Sequence, residues 1–317
     1  MASSLVSIIV PAYNEVESLD ELFQRVKAVF LQIERPFEFV VIDDGSTDGT
    51  LEKLKSLQNE NPNIAIIQHF KNFGKSLSLM QGFEAASGKI AITMDADLQY
   101  QPEEIPSFLE KLEEGYDLVS GWRMSRKDTT VKRWVSMIYN KLTALIFHVE
   151  FKDVNSGFKA YTRDVYKWID LRGDLHRLIP VLVAHKGFRV VEIPISHKDR
   201  KHGSSKYRLL RHRGLLDIIA LAVSQTTQIR PFHFFCEVAV VFWILSFLGL
   251  GGWLIALEHA PFAVQFLISA ISIWFIFVGT IFPIFGFYLE VEACRYQGAK
   301  WREQLVKESL PSENLNH

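Results

Sequence analysis

From Leu5 to Arg123 the chain alternates short apolar runs with stretches of helical periodicity, and that alternation limits the fold more than any other feature. Leu5–Ala12, Phe37–Ile42, Ile64–Ile67, Ile90–Met94 and Leu118–Ser120 are runs rich in β-branched residues, which predict buried strands. Between them, Leu19, Leu22, Phe23, Val26, Val29, Phe30 and Ile33 recur at helical spacing. Helices are likewise predicted over Thr47–Gln58, from Lys75 through Ala86, and over Pro102–Glu114. Strands and helices in turn predict βαβ units in an α/β domain with a mostly parallel sheet. Right-handed crossovers then put the loops that follow the strands on one sheet edge. Those loops carry Tyr13, Glu15, Asp43, Asp44, Lys75, Asp95, Asp97, Gln99 and Arg123, so these residues are expected to converge.

The chemistry centres on Lys89–Glu103, where the Ile90 run ends in Asp95-Ala96-Asp97. Two carboxylates one residue apart at the end of a buried strand need positive charge beside them. A hard divalent cation, Mg²⁺ or Mn²⁺, supplies it, and such ions commonly bridge carboxylates to a substrate diphosphate. A solvated acidic turn would have the same triplet, so the reading rests on the neighbouring loops. Three lookalikes fail. Gly74-Lys75-Ser76 has His69 where a phosphate-binding P-loop needs its first glycine. The Asp44–Gly49 loop lacks the alternating ligands of an EF-hand. No Gly-x-Gly-x-x-Gly follows the first strand, against a dinucleotide fold.

Further on, Ser125–Thr130 is a polar, basic loop and Val131–Val149 an amphipathic helix. Asp153–Lys159 turns into another strand, Gly173–Ala184 is helix-like, and Phe188–Ile195 is a strand. His197–Lys206, with Arg200, Ser205 and Lys206, is a basic Gly/Ser loop suited to closing over phosphates or lying against anionic lipid. Tyr207–Gln228 is basic at its start and apolar after it, as a helix lying on a membrane face would be.

Val238–Leu257 and Phe262–Leu289 contain no charged residue. About 20 helical residues cross the ~30 Å of hydrocarbon, so both are long enough to span it. Pro283 is expected to bend the second. The connecting Glu258–Pro261 has no Lys or Arg, whereas Arg230, Arg295, Lys300 and Arg302 flank the pair, which predicts cytoplasmic ends and a cytoplasmic sheet domain. The formal net charge of −1 gives no reason to expect nucleic acid. Cys236 and Cys294 form neither a disulfide framework nor a metal site. The first ten residues lack the basic segment of a signal peptide. The expected layout is a sheet domain over 1–206, interface helices over 207–230, two membrane helices over 231–290 and a cytoplasmic tail over 291–317.

Pro11-Ala-Tyr13-Asn14-Glu15, Asp43-Asp44-Gly-Ser, Asn72-Phe-Gly74-Lys75, Asp95-Ala-Asp97-Leu-Gln99, Ser120-Gly-Trp-Arg123 and Gly203-Ser-Ser205-Lys206 stand in an order and spacing that resembles the family 2 glycosyltransferases of GT-A fold. Within these the chain resembles the polyprenyl-phosphate hexosyltransferases, the bactoprenol glucosyltransferase branch above the dolichyl-phosphate mannose synthases. The resemblance implies that Pro11, Tyr13, Glu15, Asp43 and Asp44 hold the uridine of a UDP-sugar. It implies that Asp95 and Asp97 hold the metal, that Gln99 orients the donor, that Arg123, Arg200 and Lys206 bind the donor diphosphate and the acceptor phosphate, and that Lys75 and Ser205 belong to the donor-binding set. The family's arginine near position 137 is Met137 here, and Arg133 is the nearby substitute. Asp153 is a candidate helper base or acceptor-orienting group. The implied reaction is inverting transfer of glucose from UDP-glucose to undecaprenyl phosphate at the inner membrane by a homotetramer, with GDP-mannose or a UDP-aminoarabinose type as alternative donors. A processive polysaccharide synthase is disfavoured because Arg133-Trp134 has Thr130, not Gln, ahead of it and two spans line no channel. A non-catalytic scaffold is disfavoured because the acidic, amide and basic positions are all intact.

Overall fold

The computed structural model describes residues 4–124, 147, 149, 151–171, 175–198 and 231–296, with 231 and 292–296 through their backbone alone. The expected basic loop at 125–130, the helix over 131–149 apart from two of its residues, the interface helix over 207–228 and the tail after 296 lie outside the described residues. So do Arg133, Met137, Arg200, Ser205 and Lys206. The chain divides into two compact units, residues 1–219 and 220–317.

In the first unit, seven strands form one mixed sheet: β1 (Val6–Ala12), β2 (Phe37–Asp43), β3 (Ile64–Gln68), β4 (Ile90–Thr93), β5 (Leu118–Arg123), β6 (Lys159–Thr162) and β7 (Val190–Ile195). Their spatial order is β3-β2-β1-β4-β6-β5-β7. β1 pairs in parallel with β2 and β4, β2 with β3, and β5 with β7. β6 is antiparallel to both neighbours, β4 and β5. Because β6 runs the opposite way, its beginning lies at the edge where β4 and β5 end. The sequence pattern predicts a strand after Asp153, but not that it wedges between β4 and β5.

Apolar faces on both sides of the sheet explain its near-continuous hydrophobic strands. On one side α1 (Leu19–Gln32) brings Leu22, Phe23, Val26 and Phe30 against Val6, Ile8 and Phe39, with the Phe23 and Phe39 rings 5.3 Å apart edge to face. The helix α4 (Ile105–Glu113) adds Phe108, stacked at 4.2 Å on Phe158. On the other side α3 (Lys75–Ala85) approaches closely through Gly82, where a Cβ would lie 2.4 Å from Ile9 Cγ2. Three helices begin later than the sequence pattern predicts. α2 (Thr50–Glu60) starts after Gly49, held at φ 88, while Asp48 accepts from the Thr50 N–H at 3.1 Å. Pro102–Glu104 is a 3-10 turn ahead of α4, and Leu175–Leu178 is another ahead of the helix over Ile179–His185.

The second unit holds α7 (Pro231–His259) and α8 (Phe262–Tyr296), numbered after α5 (Arg163–Trp168) and α6 (Ile179–His185). At about 1.5 Å per residue both exceed the hydrocarbon thickness. Of the most apolar window of each, 11% is buried inside the protein, so neither is the core helix of a soluble domain. They pack as neighbours through small residues set against large ones. Gly279 faces Trp243, and a Cβ there would lie 2.7 Å from the indole nitrogen. Phe282 stacks on Phe235 and Phe242, and the Ser246 hydroxyl donates to Ser272 O at 2.7 Å.

Candidate active site

The ends of β1 and β2 build one half of the edge. The Asn14 N–H donates to Ser46 Oγ at 2.9 Å and the Thr47 N–H donates back to Asn14 Oδ1 at 2.8 Å, clasping the two loops together. Asn14 takes the left-handed conformation, φ 55, to do so. Tyr13, Glu15 and Pro11 are half-buried around this clasp. Asp43 is buried; Oδ1 accepts from the Ser46 N–H at 3.0 Å, and Oδ2 has no hydrogen-bond partner among the described residues. A buried carboxylate oxygen without a donor fits a site that waits for a ligand's N–H or O–H. Asp44 is used differently. It accepts from the Phe73 and Gly74 N–H groups, each at 2.8 Å, and lies 2.7 Å from His69 Nδ1. Asp44 thereby braces the loop that presents Lys75.

The other half begins at Asp95. Its carboxylate is 32% exposed, so it remains open to a ligand, and its Oδ1 accepts from the Lys75 ammonium. Burial opposes its charge, but Lys75, Arg123 and Lys159 outweigh that and hold its carboxyl below the usual carboxylate range. The half-buried Asp97 accepts from the Gln99 N–H at 3.2 Å around a turn in which Leu98 sits at φ 61. An apolar β-substituted residue in that region is strained, and the burial of Leu98 in the core holds it there. The Gln99 side chain donates to Lys198 O at 3.2 Å, so it anchors the chain where the basic segment begins.

The turn into β6 then adds residues to which the sequence pattern gives no site role. Gly157 lies against Asp95, where a Cβ would stand 2.6 Å from Oδ2, and its N–H donates to the Tyr100 hydroxyl at 2.7 Å. Lys159 is 2% exposed and its ammonium donates to Ser156 O. Burial, with repulsion from Lys75 and Arg123, brings its pKa down to about 7. A lysine inside a short strand, after Gly157-Phe158, was the available signal. Arg123 at the end of β5 binds Asp153 through Nε to Oδ2 at 2.6 Å and Nη2 to Oδ1 at 2.8 Å. Burial works against that guanidinium, but Tyr100, Asp153 and Asp95 hold its pKa above the ordinary value. Asp153 is positioned in turn by Glu192, which accepts from the Lys152 and Asp153 N–H groups at 2.7 and 2.9 Å. With both oxygens on an arginine, Asp153 is better placed to orient than to take a proton.

The edge thus runs from an open acceptor at Asp43, past two acids, to a cationic end at Lys159 and Arg123. No cluster of three or more His, Cys, Asp or Glu residues among those described forms a metal cage. Two carboxylates with one exposed face suit a cation that takes one or two protein ligands and completes its shell with water and substrate phosphate.

The glycosyl transferase family 2 profile matches residues 7–169. A dodecaprenyl-phosphate galacturonate synthase of Rhizobium johnstonii is 35% identical over 255 residues, 77% of this chain and 75% of that protein. An undecaprenyl-phosphate 4-deoxy-4-formamido-L-arabinose transferase of Edwardsiella ictaluri is 30% identical over 97% of this chain and 96% of its own length. Among solved structures, glucosyl-3-phosphoglycerate synthase from Mycobacterium tuberculosis with phosphoglyceric acid superposes at a TM-score of 0.54 and 18% identity, covering 70% of this chain and 79% of that one. The same enzyme with Mn²⁺ and UDP-glucose gives 0.50, covering 64% and 73%. At that identity the likeness is one of fold.

Proposed function

This chain belongs to glycosyl transferase family 2, and on that premise we propose that it moves a sugar from a UDP-sugar to a polyprenyl phosphate at a membrane surface. The observation that carries the reading is the single edge that collects Asp43 from the end of β2, Asp95 from the end of β4 and Lys159 from the start of β6. The unpartnered Asp43 Oδ2 accepts from the base or ribose, with Tyr13 and Glu15 beside it. Asp95 and Asp97 are the residues that would hold Mg²⁺ or Mn²⁺, which when bound neutralises the leaving diphosphate. Lys75 shares that role through its place on Asp95.

The acceptor explains why no strong base is needed. A lipid phosphate is largely ionised near neutral pH, its second pKa being about 6. The protein instead has to bring two anions together and stabilise the charge that develops on the leaving group. An oxygen of the acceptor phosphate attacks C1 of the sugar as the C1–O bond to UDP breaks, with inversion to a β-linked sugar phosphate lipid. Arg123, held flat by Asp153, is a fixed donor for phosphate at the cationic end of the edge.

Both long helices cross the membrane in this reading, with the sheet domain on the cytoplasmic side and the assembly a homotetramer. The donor sugar is glucose. A second reading is favoured by the relatives, whose names specify galacturonate and a formamido-arabinose. Purified protein with polyprenyl phosphate, Mg²⁺ or Mn²⁺ and a panel of UDP-glucose, UDP-galacturonate, a UDP-aminoarabinose type and GDP-mannose decides between them by UDP or GDP release. Failure to release nucleotide from every donor overturns the transferase reading. Mass measurement in mild detergent tests the tetramer.

A further inference from the structure

Lys159 is a buried cation whose observed contact does not neutralise it. Its ammonium donates to the carbonyl of Ser156, three residues back, and no described carboxylate forms an ion pair with it. Asp153 and Asp95 favour its charge only from a distance, and a buried ammonium with no carboxylate in direct contact is costly to hold. Beside it the Ser156 hydroxyl, on a residue 2% exposed, has no hydrogen-bond partner among the described residues. Both line a recess completed by Lys75, Asn155, Gly157 and His176, about 240 Å³ counting its open mouth. Its enclosed part has room for about one water-sized group, so it admits an oxygen of an anion and not a sugar ring. His176 adds no charge. Burial holds its pKa well below the ordinary value, and its Nδ1 lies 2.8 Å from Ser76 Oγ.

The place of the recess says which anion. β6 adjoins β4 on the side away from β1 and β2, so the recess lies across Asp95 from the acceptors of the nucleoside half. Displacement at C1 with inversion puts the attacking oxygen opposite the leaving diphosphate. Arg123, the other cation at this end, already spends Nε and Nη2 on Asp153 and Nη2 on Asn155 O. We propose that Lys159 and Ser156 seat a non-attacking oxygen of the acceptor phosphate, so that the recess behind Asp95 fixes the acceptor's headgroup and leaves another oxygen to attack. This assignment rests on the transferase reading above.

The test uses the full chain in detergent, a short-chain prenyl phosphate as probe, and the variants Lys159→Met, Lys159→Arg and Ser156→Ala. Loss of one charge-assisted hydrogen bond predicts a rise in prenyl-phosphate KM of about ten- to a hundredfold in Lys159→Met. Ser156→Ala should show a smaller rise, and Lys159→Arg a partial rescue. UDP affinity, measured without acceptor, should stay within about twofold of wild type. The probe should also raise the unfolding temperature of wild type but not of Lys159→Met. An equal loss of UDP affinity would assign the lysine to the donor, and an unchanged acceptor KM would remove the proposal. Should Lys159→Met fail to fold, Ser156→Ala and Lys159→Arg carry the same comparison. A probe-dependent stabilisation lost in the variants, without transfer in wild type, would keep the phosphate seat and sink the transferase reading. Transfer unaffected by all three variants would do the reverse.

Discussion

The Arg123 guanidinium lies along the Asp153 carboxylate as a two-point fork, Nε to Oδ2 at 2.6 Å and Nη2 to Oδ1 at 2.8 Å, joining the end of β5 to the loop that leads into β6. The side chains are 11% and 3% exposed, so each depends on the other for its charge. Replacing Asp153 by Ala strands a buried arginine and should destabilise the sheet domain by about 3–5 kcal/mol. Asp153→Asn keeps the shape and should lose less. Urea unfolding of both variants checks this, and equal stability of Asp153→Ala and wild type would refute it.

Gly157 lies so close to Asp95 that a methyl group there would stand 2.6 Å from Oδ2. Gly157→Ala should therefore push the carboxylate aside while the strand stays in place. The expected result is a fall in kcat/KM of at least tenfold, about 1.4 kcal/mol, with the unfolding temperature shifted by only a few degrees. A fully active variant would mean that Asp95 has room to move without consequence.

Asp95→Asn and Asp97→Asn should each reduce transfer by two or more orders of magnitude, on the scale of a lost charge-stabilising group. Chelation of divalent ions should silence wild type, and adding back Mg²⁺ or Mn²⁺ should restore it. Transfer that persists in Asp97→Asn would remove the metal from the reading.

Asp43 Oδ2 is buried and partnerless, so Asp43→Asn presents an N–H₂ donor where the nucleoside needs an acceptor. UDP affinity should drop by about tenfold or more while folding stability is kept or improved. Calorimetric titration with UDP, set beside thermal unfolding, separates the two effects.

Lys159 gives the stability a pH dependence. Burial lowers its pKa from 10.5 to about 7 in the folded chain. The unfolded chain binds the proton more tightly across that interval, so the folded state is penalised in full below pH 7 and relieved as pH rises toward 10.5. Wild type should therefore gain stability relative to Lys159→Met between those limits. Denaturant midpoints at several pH values test the sign, and a difference that is flat with pH would contradict it.

Local pattern was enough for much of this protein. β-branched runs and helical spacing located the strands and the helices between them, because each period is set by the geometry of a single element. The two uncharged stretches marked two helices long enough to cross a bilayer for the same reason. Acids at strand ends, Asp43 and Asp95 above all, were legible because parallel crossovers deliver successive strand ends to one edge. Neighbours across the sheet were not legible. Insertion of β6 between β4 and β5 brings Asp153, Gly157 and Lys159 to that edge, and long-range packing of Phe158 and Tyr161 on opposite faces decides it. That placement tied Asp153 to Arg123 and buried Lys159 away from any direct ion pair, while the folding of the β3–α3 loop onto the end of β2 made Asp44 a loop brace. Charge pairing depends on distances between residues far apart in the chain, and a one-dimensional pattern carries no such distances.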